Sequence, residues 1–271
     1  MRAYDLAILD LDGTIFDPAG DPDVDPRVVE TVARVQAAGI PVTLATGRTL
    51  DFLEPLVRRL GLRLPVVAAQ GAVVGRADTG EILHEAPLSA ETSREVVAWA
   101  SRARRVVALY IHRCGHPLRV LQNLEVRSPE YYDQLFGTPR CLLRARPLAE
   151  DERLLKFIAV NPPQERDAAG WLRRRFADRV HVTRTHEDLV EGTRPGVDKG
   201  SGVRMLLEHL EIDPERVLFI GDNENDLPVF RVVGTGIAMG TAPPRVRAAA
   251  AWVAPALAEA GAAVALERFL L

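Results

Sequence analysis

Cysteine is almost missing from this chain. Cys114 and Cys141 are its only two, which excludes a disulfide framework. Aromatic residues make up 6% of the 271, too few for a platform on which single-stranded nucleic acid would stack. Charge of one sign is also missing: the net of -3 offers no electrostatic footprint for a polyanion. The arginine groups at 102–105 and 173–175 have acidic neighbours and read as solvated helix faces. No apolar run approaches the ~20 residues that cross a bilayer. Asp5 stands where an apolar leader would be, just before a strand-like run. These absences point to a cytoplasmic protein with neither nucleic acid nor membrane as partner. His112-x-Cys114-x-His116 would share one strand face, but its spacing does not match the paired ligands of structural zinc, so no metal is expected there.

What is present is ordinary globular composition, 47% hydrophobic and 26% charged, with length for one large domain or two modest ones. Short apolar runs alternate with amphipathic stretches, the mark of βα units around a mainly parallel sheet. Strands are expected at 6–11, 41–45 and 65–69, with a turn at Asp78-Thr79-Gly80. Between the first two, Asp25 and Pro26 start a helix that Gly39 stops; a second helix runs from Arg48 to Gly61. From about His84 the character changes. Helices near 93–105 and 166–176 flank β-rich runs at 106–111, 155–160 and 180–183, and 191–196 reads as a linker. The βα rhythm then resumes, with helices at 201–209 and 227–233, strands at 217–220 and 237–239, and a helix-rich tail from Pro243. The expected fold is α/β: a doubly wound, Rossmann-like core of residues 1–83 and 192–271, interrupted by an α+β insert at 84–191.

Four segments carry chemistry. Asp10-Leu11-Asp12-Gly13-Thr14 ends the first strand, and Thr46-Gly47-Arg48 follows the second and opens a helix. Lys199 precedes another helix, and Gly221-Asp222-Asn223-Glu224-Asn225-Asp226 follows the strand at 217–220. In an open parallel sheet the C-terminal strand ends share one rim, where ligands bind. Clustered carboxylates repel one another unless a hard cation neutralises them, and oxygen ligands suit Mg²⁺. Lys199, the Thr46 hydroxyl and helix-start N–H groups would receive phosphate oxygens. Asp10 could attack phosphorus, with Asp12 shuttling the proton. Taken singly, Asp-x-Asp-Gly is equally a tight turn after a strand. The segment after Asp222 has Leu227 where a calcium loop requires glycine, and the glycines from Gly234 to Gly240 read as turns.

Together these segments resemble the haloacid dehalogenase-like hydrolases, specifically the Cof-type phosphatases with a type-two (C2B) cap, over essentially the full chain. Ile237-Ala238-Met239-Gly240 and Glu259-Ala260-Gly261 also look like that subfamily. The resemblance implies Asp10 as nucleophile forming an aspartyl phosphate, and Asp12 as general acid and base. It implies Thr46, Gly47, Lys199 and Asn225 around the substrate phosphate. Mg²⁺ would be held by Asp10, Asp222 and the backbone carbonyl of Asp12, with Asp226 supporting the metal site. The insert would be a cap that excludes water and selects a small phosphorylated metabolite, sugar phosphates first. Lys156 and Asn161 are its polar candidates. Gln70, where many relatives carry asparagine, and Pro228 depart from the pattern. The rivals are a phosphomutase of the phosphomannomutase kind and a catalytically idle phosphometabolite-binding protein. Oligomeric state is not readable.

Overall fold

The computed structural model describes residues 3–17, 23–124, 140–142, 148–160, 167–186 and 188–271, with 140–142 and His186 as backbone only. Its organising strand is β1 (Leu6–Leu9), four apolar residues all fully buried. Such a continuous apolar run belongs inside a sheet covered on both faces. It lies between β2 (Val42–Leu44) and β12 (Val217–Gly221), both parallel to it, in the order β14-β13-β12-β1-β2. Here β13 is Thr235–Ala238 and β14 is Trp252–Val253. The expected third strand is β3 (Val66–Ala68). It touches the parallel sheet through the single bridge Ala45↔Val67 and otherwise pairs antiparallel with β4 (Val73–Arg76), itself paired with β5 (Glu81–Glu85).

Helices cover both faces. Helix α1 (Pro26–Ala37) starts where expected: Asp25 accepts from the N–H of Arg27, and Pro26 fills the first turn. Helix α2 is Leu50–Arg59 and α3, in the insert, is Ala90–Ala100, started by Ser89 rather than near residue 93. The insert adds a six-stranded, mostly antiparallel sheet in the order β10-β11-β9-β6-β7-β8. Its strands are β6 (Val107–Arg113), β7 (Arg119–Gln122), β8 (Arg140–Leu142), β9 (Glu152–Val160), β10 (His181–His186) and β11 (Leu189–Thr193). Against it packs α4 (Ala168–Phe176), where Trp99, Phe157 and Phe176 form edge-on aromatic contacts. This is the α/β core with an antiparallel cap that the sequence predicts.

Local differences have physical causes. Glu191, Gly192 and Thr193 are not linker but the end of β11, because their backbone finds partners on β9 and β10. Strand β6 stops at Arg113, so Cys114 and His116 lie in the following turn rather than beside His112 on one strand face. His112 instead meets Glu85 at 2.6 Å. The arginine group at 173–175 lies on α4 among acids, with Arg175 reaching Glu95 and Arg174 reaching Asp167, whereas the group at 102–105 follows the end of α3 and is not a helix face. The last helices are α5 (Lys199–Leu210), a short α6 (Leu227–Phe230), α7 (Pro244–Ala249) and α8 (Gly261–Leu270). Asn161 and the start of the helix expected at 166 lie outside the described residues, as does the side chain of Cys141. Among the described residues no helix is long and apolar enough to cross a membrane.

Candidate active site

The rim where β1, β2 and β12 end carries all four motif segments. Asp10 follows β1 and is 4% exposed. Lys199 opens α5 with Asp198 as N-cap, where a reciprocal pair of bonds with Ser201 holds the helix start. That cap points the Lys199 ammonium inward, 2.8 Å from Asp10 and 2.5 Å from Asp226. Asp226 is fully buried and uses both oxygens: Oδ1 accepts from Lys199, and Oδ2 accepts from the N–H groups of Asp222 and Asn223. Asp10, Asp222 and Asp226 bring one carboxylate oxygen each within 4.8 Å of one another.

Such a cluster is electrostatically unfinished. Burial pushes the Asp10 carboxyl up to about 7, reinforced by the charge on Asp226. Burial pushes Asp222 up to about 9, with Asp10 and Asp226 adding to it. Burial would pull Lys199 down, but Asp10 and Asp226 outweigh it and hold the ammonium well above its usual range. One lysine thus faces three carboxylates, and an all-oxygen set short of positive charge fits a hard divalent cation. Both acids are raised above their unfolded value of 3.8, so without a cation their favourable contribution is complete below about pH 4 and fades through about 7 and 9. Added Mg²⁺ should therefore raise Tm more at pH 8 than at pH 5, measured against EDTA; equal increments would contradict this.

Asp12 sits two residues on, at the mouth of the rim. Its carboxylate is gripped by Arg48, with Nε at 2.9 Å and Nη2 at 2.6 Å. Between the two acids' partners, Gly13 adopts φ +78°, and a Cβ there would come within 2.2 Å of Asp222. Gly13→Ala should thus cost ~1–2 kcal/mol of stability for the left-handed backbone. It should also cost ~10²-fold in turnover by displacing Asp222. Urea denaturation and phosphate release check the two halves separately. Thr46 is buried, and its hydroxyl accepts from the N–H of Arg48 at 3.2 Å. Asn225 donates to Gln70 at 3.1 Å, and its carbonyl oxygen is buried without a partner.

The haloacid dehalogenase-like hydrolase model matches residues 7–266. The chain belongs to this family. It is 30% identical over 98% of its length to the phosphoglycolate phosphatase of Methanopyrus kandleri, covering 97% of that protein. It is 28% identical to the HMP-PP phosphatase of Serratia proteamaculans, over 90% of this chain and 86% of the other. A solved haloacid dehalogenase-like hydrolase from Bacteroides thetaiotaomicron superposes with a TM-score of 0.81 at 25% identity, across 98% and 99% of the two chains. The family resemblance carried by the four motifs is therefore correct, and the Methanopyrus and Serratia relatives are phosphatases by name.

The site also holds residues that the motifs do not announce. A cavity of about 110 Å³ lies between rim and cap, and Tyr110, Lys156, Thr185 and Glu191 line it from the cap. Gln70, in a left-handed conformation at φ 59°, donates to Glu191 at 3.2 Å. Asn223 donates to the backbone carbonyl of Thr185 at 2.9 Å. The available signal was a lone charge inside each of two apolar strands, Leu154-Leu155-Lys156-Phe157-Ile158 and Leu189-Val190-Glu191. Buried charges of opposite sign need each other.

Proposed function

We propose that this hydrolase is a Mg²⁺-dependent phosphatase that removes the phosphoryl group from a small phosphorylated metabolite, sugar phosphates being the leading class. The observation that carries the reading is the convergence of Asp10 and Asp222 with Lys199 on one sheet rim, beneath a cavity of about 110 Å³ closed by the cap. Asp10, Asp222 and the backbone carbonyl of Asp12 would hold the metal. Asp226 has both oxygens committed to Lys199 and backbone N–H groups, which suits it to bracing rather than ligating. Bound there, Mg²⁺ would neutralise the carboxylates and the phosphoryl oxygens.

The chain's own groups then do the work. Lys199, the Thr46 hydroxyl, the N–H of Gly47 and the Asn225 side chain bind the phosphoryl oxygens. An Asp10 oxygen attacks phosphorus, and the bond to the ester oxygen breaks as that oxygen takes a proton from Asp12. Water then attacks the aspartyl phosphate and gives its proton to Asp12, which releases orthophosphate and restores Asp10. Arg48, which grips both Asp12 oxygens here, orients the Asp12 carboxyl and releases one oxygen while that oxygen carries the proton. Positioning and charge compensation supply most of the rate, as in phosphoryl transfer generally.

Purified protein with Mg²⁺ should release orthophosphate from at least one member of a phosphorylated-metabolite panel, without a bisphosphate activator. Turnover that needs such an activator would identify a phosphomutase instead. Silence across the whole panel would leave a binding protein.

A further inference from the structure

Of the chain's 34 basic residues only two are lysines, Lys156 and Lys199; the other 32 are arginines. Both lysines are buried to 1% exposure; Lys156 lines the cavity between rim and cap, and Lys199 lines a neighbouring one that shares Gln70, Glu191 and Asn225 with it. An ammonium is a compact point charge, and it fits where a guanidinium fork does not. Lys199 belongs to the rim. Lys156 comes from the cap, yet its nearest partners show that it serves the rim as well.

The Lys156 ammonium lies 4.5 Å from the Tyr110 ring centroid, donates to Glu191 at 2.5 Å, and donates to the backbone carbonyl of Gly47 at 2.8 Å. That carbonyl belongs to the turn Thr46-Gly47-Arg48. In a trans peptide the C=O of Gly47 and the N–H of Arg48 point opposite ways. Fixing one therefore aims the other, and the Arg48 N–H is found on the Thr46 oxygen. A hydroxyl that accepts there keeps its single proton to donate, in this case toward the phosphoryl site. The Gly47 peptide is also hemmed in from the other side: a Cβ on it would lie 2.5 Å from the Gln70 amide nitrogen. Gln70 itself bridges Glu191 of the cap and Asn225 of the fourth motif. A continuous chain of bonds thus runs from Gly47 through Lys156, Glu191 and Gln70 to Asn225. It starts on one phosphate-binding loop, crosses the cap and ends on another.

We propose that Lys156 and Glu191 are positioning residues for the phosphoryl group, through which the seated cap aligns the Thr46-Gly47-Arg48 turn and Asn225. This rests on the phosphatase reading above. The pair acts on the group common to all substrates and does not read the leaving group.

Removing one partner alone would strand the other's charge in the interior, so the test uses the neutral double variant Lys156→Met/Glu191→Gln alongside Lys156→Arg. For the double variant kcat/KM should fall about 10- to 100-fold, the scale of a slightly misplaced reactant. It should fall by one common factor for p-nitrophenyl phosphate, glycerol 2-phosphate and glucose 6-phosphate. Inhibition by inorganic phosphate should weaken in parallel, and Lys156→Arg, whose guanidinium does not fit the place of the ammonium, should also lose activity by one common factor across the esters. Factors that differ among the esters, with phosphate inhibition unchanged, would overturn the proposal and make the pair a leaving-group reader. The wild-type chain gives an independent readout, because isotope-labelled lysine produces only two side-chain NMR signals. Inorganic phosphate with Mg²⁺ should shift both. A Lys156 signal that stays still while that of Lys199 moves overturns the coupling even if the variants fail to fold. Shifts of both signals in a chain that hydrolyses no ester would remove the phosphatase reading and leave the coupling standing. No response to phosphate and no turnover would remove both.

Discussion

Asp10→Asn should abolish phosphate release, with a loss of at least ~10³-fold, the scale seen when a covalent nucleophile is removed. The amide has no lone pair basic enough to displace an alkoxide from phosphorus, and no other carboxylate can take its place. Asp226 has both oxygens committed, Asp12 is gripped by Arg48, and Asp222 is assigned to the metal. The fold should survive, because the asparagine carbonyl can still accept from Lys199 while one charge leaves a cluster that already repels itself. Phosphate release and a thermal melt on one preparation check both halves. Near-normal turnover in the variant would sink the mechanism.

Lys199→Met should be the most damaging single change to stability. The ammonium is the one described cation bonded to both Asp10 and Asp226, and it is 1% exposed. Taking one partner out of a buried ionic group typically costs ~3–5 kcal/mol, against a total of about 5–15 kcal/mol for a whole domain. Turnover should be lost as well, since the phosphoryl charge loses its fixed partner. The double variant Lys199→Met/Asp226→Asn separates the two effects. It should regain much of the stability in urea denaturation and none of the activity. Recovery of activity in the double variant would mean that Lys199 serves only to balance Asp226.

The sequence was most readable where one chain segment contains its own reasons. Asp25-Pro26 starts α1, and the mostly apolar run at 6–11 reads as a strand; both are local, whereas α5 begins at Lys199 with Asp198 as its N-cap, two residues before the expected 201. The rim itself was predictable because parallel strand ends converge whatever the loops between them do. The partnerships were less readable. Arg48 was visible as part of a motif, but its grip on Asp12 depends on two loops meeting. Glu191 looked like linker because Glu-Gly-Thr-Arg-Pro-Gly reads as turn chemistry, and only pairing with β9 and β10 makes it strand. Gln70 was noticed as a departure from the family pattern; its bonds to Glu191 and Asn225 span separate regions of the chain and leave no periodic trace.

The pairing of β1 with β12 also sets an order of assembly. Leu6 lies opposite Val217, and Asp5 bonds Arg216 across 211 positions. Chains emerge from the ribosome at about 5–20 residues per second, so β1 must wait roughly 10–40 seconds for its inner neighbour. Strands β6, β9 and β11, by contrast, follow one another closely and can pair before β12 exists. During that interval an apolar strand built for a sheet interior has one edge open, which is the situation that favours chaperone capture or mispairing. The inserted cap that completes the catalytic cleft therefore delays the closing of the core, and chaperone dependence during synthesis should fall on the first strand rather than on the cap.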